Sequence, residues 1–296
     1  MSVLESGSRI KQKNMVITVA SGKGGTGKTT VATNLAYTLS RRKMPVELLD
    51  ADVEARNCHL FLDPLIDTEK PVNIMVPQVD EEKCTFCGAC ADICEFNAIA
   101  VFGRSILVFP ELCHACGGCA RRCPEAAIKN VPYTTGTLYL GAKNNLLFAA
   151  GQLNIGEAKA PPVISTLKNQ PQSQAIRIID APPGTSCPAV EAMQDSDIVI
   201  LVTEPTPFGM SDLKLTVELV RKLDIPFGIV INRSDIGDDR VEAYCRDEQI
   251  PILMRLPHDQ RIAGVYSNGE LIVERLNEYE REFYRLYKTI LGVLES

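Results

Sequence analysis

The sequence predicts an α/β protein, a mostly parallel sheet with helices on both faces, interrupted by a small inserted α+β segment. Three observations point there. Short, unbroken, β-branched apolar runs alternate with amphipathic stretches over most of the 296 residues. A glycine-rich turn joins the first of these runs to the first amphipathic stretch. Eight of the eleven cysteines crowd between Cys84 and Cys123.

The strands are expected at Met15–Ala20, Val46–Leu49, Ala175–Ile179, Ile198–Val202, Phe227–Ile231 and Ile252–Leu256. Most are continuous rather than alternating, as strands buried on both faces are. Helices at Thr29–Arg41 and Ser211–Leu223 fall between them, the alternation that builds a parallel sheet. Gly, Asn and Pro are frequent over Thr134–Gln174, where strands or a hairpin returning to the sheet are expected. The last helix carries Leu276, Tyr279, Phe283, Leu286, Ile290 and Val293 at steps of three and four, one apolar stripe. Its polar face has as many acidic as basic groups, so it is expected to pack on the core rather than lie on a membrane.

Composition narrows the function. A net charge of −6 argues against a nucleic-acid-binding surface, which needs a basic stripe. No apolar run approaches the roughly 20 residues that span a bilayer. The N-terminal MSVLESGSRIKQKN has no apolar core of a signal peptide. A cytoplasmic protein is therefore expected, and clustered cysteines there read as metal ligands rather than disulfides.

Gly22-Lys23-Gly24-Gly25-Thr26-Gly27-Lys28-Thr29 fits G-x-x-x-x-G-K-[ST], the P-loop, between an apolar strand and a helix start. Glycines let backbone N–H groups turn inward around phosphates, and the helix N-terminus adds a favourable dipole. Lys28 is placed to reach the β- and γ-phosphates of ATP, and the Thr29 hydroxyl to ligate Mg²⁺, with Thr30 in the same first turn.

Lys23 is not required by the generic motif. The K-G-G-x-G-K-T form resembles the deviant P-loop of the MinD/ParA family, which includes the nitrogenase iron protein and the Mrp-type cluster carriers. That resemblance implies that Lys23 crosses an interface in an ATP-dependent homodimer. Leu48-Leu49-Asp50-Ala51-Asp52 looks like the end of the family's second strand, and Asp52–Asn57 like its switch I. By this likeness Asp52 positions the attacking water and Asn57 contacts the γ-phosphate side. Ile178–Gly184 (IIDAPPG) looks like Walker B plus switch II, with Asp180 holding Mg²⁺ through water and the Gly184 N–H sensing γ-phosphate. Ile231-Asn232-Arg233 and Leu256-Pro257-His258-Asp259 resemble the adenine-side segments, and Arg261–Glu274 follows the same pattern. Asp50 belongs either in the site or in a structural bond to the P-loop.

Cys84, Cys87, Cys90 and Cys94 form one C-x2-C-x2-C-x3-C run, and Cys113, Cys116, Cys119 and Cys123 form another. In this spacing three thiolates of a run hold one [4Fe–4S] cluster and the fourth ligates the other cluster. Cluster one is therefore expected on Cys84, Cys87, Cys90 and Cys123, and cluster two on Cys113, Cys116, Cys119 and Cys94. A zinc ribbon normally uses two cysteine pairs, so two quartets fit it poorly. Pro124 follows Cys123, but Glu95 follows Cys94, and a carboxylate there is expected to lower that cluster's potential. His114 is expected beside the ligands rather than among them. Cys187 is either a buried structural thiol or an interface ligand, and Cys58 and Cys245 are expected to be structural.

The expected organisation is a P-loop ATPase domain, 1–78 and 132–296, with a ferredoxin-like insert, 79–131. The resemblance implies an ATP-hydrolysing iron–sulfur protein in which nucleotide state gates cluster or electron delivery to a client metalloprotein or redox partner. An accessory factor for metallocofactor or iron–sulfur assembly is the first form of that reading. An ATP-gated electron donor to a reductase is the second, and a MinD/ParA-like positioning switch with redox-sensing clusters is the third.

Overall fold

The computed structural model describes residues 14–172, 174 and 176–295. The N-terminal leader reading, and the expected strand start at Ala175, lie outside them. In chain order the elements are β1 (Met15–Ala20), α1 (Lys28–Arg41), β2 (Val46–Asp50), α2 (Cys58–Leu62) and β3 (Leu65–Val79). Then come α3 (Ala89–Asp92), β4 (Ile99–Phe102), β5 (Ser105–Val108), α4 (Gly118–Arg122), β6 (Ile128–Lys143) and β7 (Leu146–Leu153). The remainder is α5 (Pro161–Lys168), β8 (Ile176–Asp180), α6 (Cys187–Met193), β9 (Ile198–Thr203), α7 (Pro207–Lys222), β10 (Phe227–Asn232), α8 (Arg240–Asp247), β11 (Ile252–Leu256), α9 (Gln260–Ser267), α10 (Ile272–Arg275) and α11 (Asn277–Leu294).

Nine strands form one sheet in the order β11-β10-β9-β1-β8-β2-β7-β6-β3. The run from β11 to β7 is parallel, and β6 and β3 close the far edge antiparallel. Both faces are covered, which accounts for the unbroken apolar strands. Ile17 and Val19 of β1 pack with α1 and α11, together with Ile198, Ile200 and Val202 of β9. Their neighbours Val199 and Leu201 pack on the opposite side with α5, α6, α7 and α8. Successive residues of a strand point to opposite faces, so a two-sided core needs apolar residues at every position. The stripe of α11 does what its spacing predicts: Tyr279, Phe283, Leu286 and Ile290 are buried against α1 and the sheet.

The antiparallel edge was missed as a unit. Only a hairpin within 134–174 is legible, and it is β6–β7, followed by α5. Its partner β3 is half exposed and carries two prolines, so it lacks a buried strand's apolar run. β3 and β6 pair from Leu65↔Ala142 to Val79↔Ile128, well past the end of β7 at Leu153↔Gly136. The result is a two-stranded arm projecting beyond the sheet edge. Close approach within it requires glycine: a Cβ on Gly141 would lie 2.1 Å from the Leu65 carbonyl oxygen.

Residues 80–127 join the two strands at the tip of the arm and contain the short helices α3 and α4 and the separate hairpin β4–β5. Ribbon pairing thus reaches further into the expected insert than its 79 and 131 limits. Left-handed backbone recurs at Phe86 and Ala115, Gly88 and Gly117, and Asn97 and Ala126, each pair 29 residues apart. The sequence repeat is a structural repeat.

Phe283 is fully buried where α11 meets α1. Phe283→Ala should cost about 3–5 kcal/mol, the range for deleting a buried aromatic. Chemical denaturation of the purified variant measures this, and a cost below about 1 kcal/mol would contradict the packing described.

Candidate functional site

The carboxyl ends of β1, β2 and β8 lie side by side, with Asp50 opposite Asp180 and Val19 opposite Asp180 in register. Ligands of open parallel sheets bind at this edge. The loop from Ser21 to Gly27 leaves β1 there and enters α1 with Gly27 at φ 98°. A Cβ on Gly27 would meet the Asn232 amide nitrogen at 2.5 Å, so the position needs glycine for conformation and for space. That amide donates to the Thr26 carbonyl at 2.9 Å, tying the end of β10 to the P-loop.

A cleft of about 440 Å³ opens over this edge. The backbone of Gly24, Gly25 and Gly27 forms its floor, with Lys28, Thr29 and Thr30. Asp52 and Asn57 line one wall, and Asn232, Arg233 and Pro257 another. Its far end is apolar, made by Leu256, Ile262, Ala263 and Ile272 with the ring of Tyr266. Tyr266 rests on Phe61 of α2 at 5.0 Å between centroids. Nothing in the sequence singled out Tyr266, since an aromatic at a helix end carries no motif. Gly22 and Lys23 lie instead against α7, beside Asp212. The Lys23 side chain has no hydrogen bond or ion pair to any described residue.

Asp180 and Asp50 are both fully enclosed. Thr29 Oγ1 donates to Asp180 Oδ2 at 2.6 Å, while Asp50 Oδ2 accepts from the amides of Asn57 (3.0 Å) and Cys58 (2.9 Å). Asp50 is therefore a site residue: it fixes the backbone of the Asp52–Asn57 loop. Burial pushes both carboxyls up, and the charge of Asp180 adds to this for Asp50. Burial also raises Asp52, against the pull of the Lys28 ammonium. The Cys58 thiol donates to Asp180 Oδ2 at 3.3 Å, and burial followed by the two carboxylates drives its pKa far up. Cys58 was expected to be structural; the structure puts it on the acidic pair, a placement visible only once β2 and β8 are adjacent.

Asp180 Oδ1 is buried here without a partner, whereas Thr26 Oγ1, also buried and unpartnered, lies with Gly22 and Lys23 on the α7 side. An unsatisfied buried oxygen beside crowded carboxylates is what a bound cation would satisfy. The residues present fit Mg²⁺ with a nucleotide: Thr29 and Asp180 would hold the ion and Lys28 the phosphates. Gly184, at φ 90°, has its N–H on the Ser21 carbonyl at 2.9 Å. A γ-phosphate would have to draw that N–H away.

The eight clustered cysteines fall into two separate cavities. Cys84, Cys87, Cys90 and Cys123 line one, and Cys94, Cys113, Cys116 and Cys119 line the other. In each half two backbone N–H groups point at sulfur. Phe86 donates to Cys84 and Ala98 to Cys94, matched by Ala115 to Cys113 and Ala127 to Cys123, all at 3.3–3.4 Å. His114 lies flat on Phe96, 3.6 Å between centroids, over the second cavity. Glu95, expected to influence the cluster held by Cys94, is exposed and lines neither cavity. The carboxylate that does is Glu125, in the first. Of the scattered cysteines, Cys245 is buried and Cys187 is exposed at the start of α6, just beyond Gly184.

The sequence pattern of the CobQ/CobB/MinD/ParA nucleotide binding domain matches residues 17–272. The chain belongs to this family. It is 33% identical to an uncharacterized protein of Methanocaldococcus jannaschii over 86% of this chain and 90% of that one. An iron-sulfur cluster carrier protein of Aquifex aeolicus is 24% identical, over 95% of this chain and 68% of the relative. The cell division ATPase MinD of Pyrococcus furiosus has a similar fold, with TM-score 0.59 at 21% identity over 95% of this chain and 99% of that one. The family is one of nucleotide-binding domains. Among the described residues no helix is long and apolar enough to cross a membrane.

The carboxyl pair makes a pH prediction. Carboxyls raised in the folded state hold protons there that the unfolded chain has released, so their contribution is present at low pH and lost as pH rises. Without nucleotide and Mg²⁺, the protein should lose on the order of 1–3 kcal/mol of stability between about pH 5 and pH 8 from this source. Asp50→Asn should flatten that slope. Thermal melts at the two pH values, with EDTA, measure it; equal slopes in both proteins would refute the assignment.

Proposed function

We propose that the chain is an ATPase that dimerises on ATP and carries two [4Fe–4S] clusters, with nucleotide state gating delivery to a client protein. The carrying observation is the sorting of eight sulfurs into two cavities, each taking three cysteines from one run and the fourth from the other. Alternating ligation of this kind is the two-cluster ferredoxin arrangement. The N–H groups aimed at sulfur stabilise thiolate and bridging charge. When bound, the clusters supply one-electron storage; everything else follows from the chain.

In this reading Lys28 neutralises the β- and γ-phosphates, and Thr29 and Asp180 hold Mg²⁺. Asp52, at the cleft wall, orients the attacking water. Lys23, unpartnered among the described residues, acts on the nucleotide of a second copy. Hydrolysis is reported to the arm through the Asp52–Asn57 loop, where the guanidinium of Arg56 sits 4.0 Å above the ring of Tyr139 in β6. A ligand shifts such an equilibrium only through its different affinity for two states. The cargo is proposed to be a cluster, for metallocofactor or iron–sulfur assembly, supported by relatives named as cluster carriers. The enclosure of each set by a single chain favours electron delivery as the second reading. Anaerobic incubation with ATP and an apo acceptor separates them, since iron leaves the protein only in the first.

Lys28→Ala should abolish nucleotide binding. Lys23→Ala should spare binding by the monomer but slow hydrolysis at least tenfold and weaken dimerisation. Hydrolysis of ATP at the native rate by the Lys23 variant would remove the cross-dimer role.

The gating itself is tested by redox titration. Anaerobically purified protein should hold about eight irons per chain. EPR midpoints should differ between the nucleotide-free, ADP-bound and non-hydrolysable-analogue states by about 59 mV or more, a tenfold coupling of a one-electron couple. Identical midpoints would end the gating reading; stoichiometric zinc without sulfide would end the cluster reading.

A further inference from the structure

The segment between β7 and α5 reaches across to the cysteine-rich tip. The ammonium of Lys159 donates to three backbone carbonyls of that tip: Pro110 at 3.1 Å, Glu111 at 2.7 Å and Cys113 at 2.9 Å. An ammonium has three protons, and all three are used. These carbonyls belong to the turn at Pro110–Leu112 that delivers Cys113, the first cysteine of the second run. The side chain is only 14% exposed. Its countercharge, Glu157, lies 3.8 Å away with a side chain 2% exposed, and Glu157 Oε2 has no hydrogen-bond partner. Tyr133 of the arm adjoins the same carboxylate; burial, then the charges of Glu157 and Glu111, push its phenol up.

The other end of this segment leads to the nucleotide site. The Leu153 N–H donates to the Val53 carbonyl at 2.9 Å, next to Asp52. Five residues then separate Leu153 from Lys159, with the Asn154 N–H donating to the Thr135 carbonyl on the way. The body of the protein thus reaches the second cysteine set through a partly buried cation, and the first set has no counterpart of it among the described residues.

We propose that Lys159 is a positioning residue for the second cysteine set. It holds the Cys113 turn, raises the reduction potential of the centre bound there, and links that centre to the Asp52 loop. The proposal rests on the cluster reading above. The physical cause is direct. A cation on the Cys113 carbonyl favours the more negative, reduced state, and a partly buried charge is screened less than an exposed one. Glu157 opposes it, so the two residues set the potential from opposite sides.

Two substitutions with opposite signs test this. Mediated EPR titrations of anaerobic, nucleotide-free protein would compare wild type, Lys159→Met, Lys159→Arg and Glu157→Gln, with a Cys87→Ser background identifying the signal of the second set. Lys159→Met should shift the second centre's reduction equilibrium about tenfold toward oxidation, about 59 mV downward, and leave the first centre in place. Glu157→Gln should move the second centre upward, and Lys159→Arg should stay near wild type. Where Lys159→Met does not retain its iron, the upward shift in Glu157→Gln decides. An unchanged second midpoint, or an equal displacement of both centres, overturns the proposal. With nucleotide analogue added, Lys159→Met should also lose the nucleotide dependence of the second midpoint while binding nucleotide normally. Wild-type midpoints indifferent to nucleotide would refute gating alone, because the nucleotide-free shifts still decide the role of Lys159.

Discussion

Two carboxyl groups held side by side and out of water are the constraint on which the site turns. Asp50 and Asp180 end adjacent strands in register, so neither can move away without unpairing β2 from β8. Burying them is costly, and the surroundings answer in three ways. Backbone amides of Asn57 and Cys58 bind Asp50, Thr29 and Cys58 donate to Asp180, and Lys28 stands close enough to pull on Asp180. One oxygen of Asp180 remains unsatisfied. An incomplete solution of this kind favours a bound cation, and it makes the loop bonded to Asp50 sensitive to whether the cation is present.

That sensitivity has a mechanical outlet. The Asp52–Asn57 loop touches β7 through the Val53 carbonyl and β6 through the Arg56 guanidinium on Tyr139. Of these, β6 continues outward, paired with β3, as the arm that ends in the cysteine cavities. A two-stranded ribbon alone is only marginally rigid. Packing of Ile74 and Val76 of β3 with Cys113 and Ala98 stiffens it where it meets the tip. Lys159 then braces the tip from the body.

The parallel sheet was legible because burial on both faces leaves an unambiguous apolar record. The strand ends shifted by only a residue, as at Asp50 and Asp180, where a carboxylate terminates the apolar run yet stays in the sheet. The nucleotide residues were legible because phosphate chemistry dictates residue type and spacing locally. Cys58, Tyr266 and Lys159 were not. Each acts on a partner far away in sequence, and each is an ordinary residue type until the fold supplies that partner. β3 was hidden for a different reason. An edge strand with one solvated face and two prolines has no periodic signal strong enough to stand out. Glu95 follows a ligand in sequence yet lies exposed and outside both cavities.

Duplication gives the two cysteine sets the same backbone, so any difference between them must come from residues that are not ligands. Twenty-nine residues relate Thr85 to His114 and Phe96 to Glu125. The first cavity is consequently bordered by a carboxylate, and the second by a stacked aromatic pair. The second also lies against the arm at Met75, Pro77 and Asn130, nearer the body, with Lys159 behind it. A carboxylate disfavours the reduced state and an ammonium favours it, so both differences push in one direction. On the proposed reading the more oxidising centre is the one braced to the nucleotide domain. An electron arriving at the outer set would therefore run downhill toward the body, to the centre on which the state of the Asp52 loop can act.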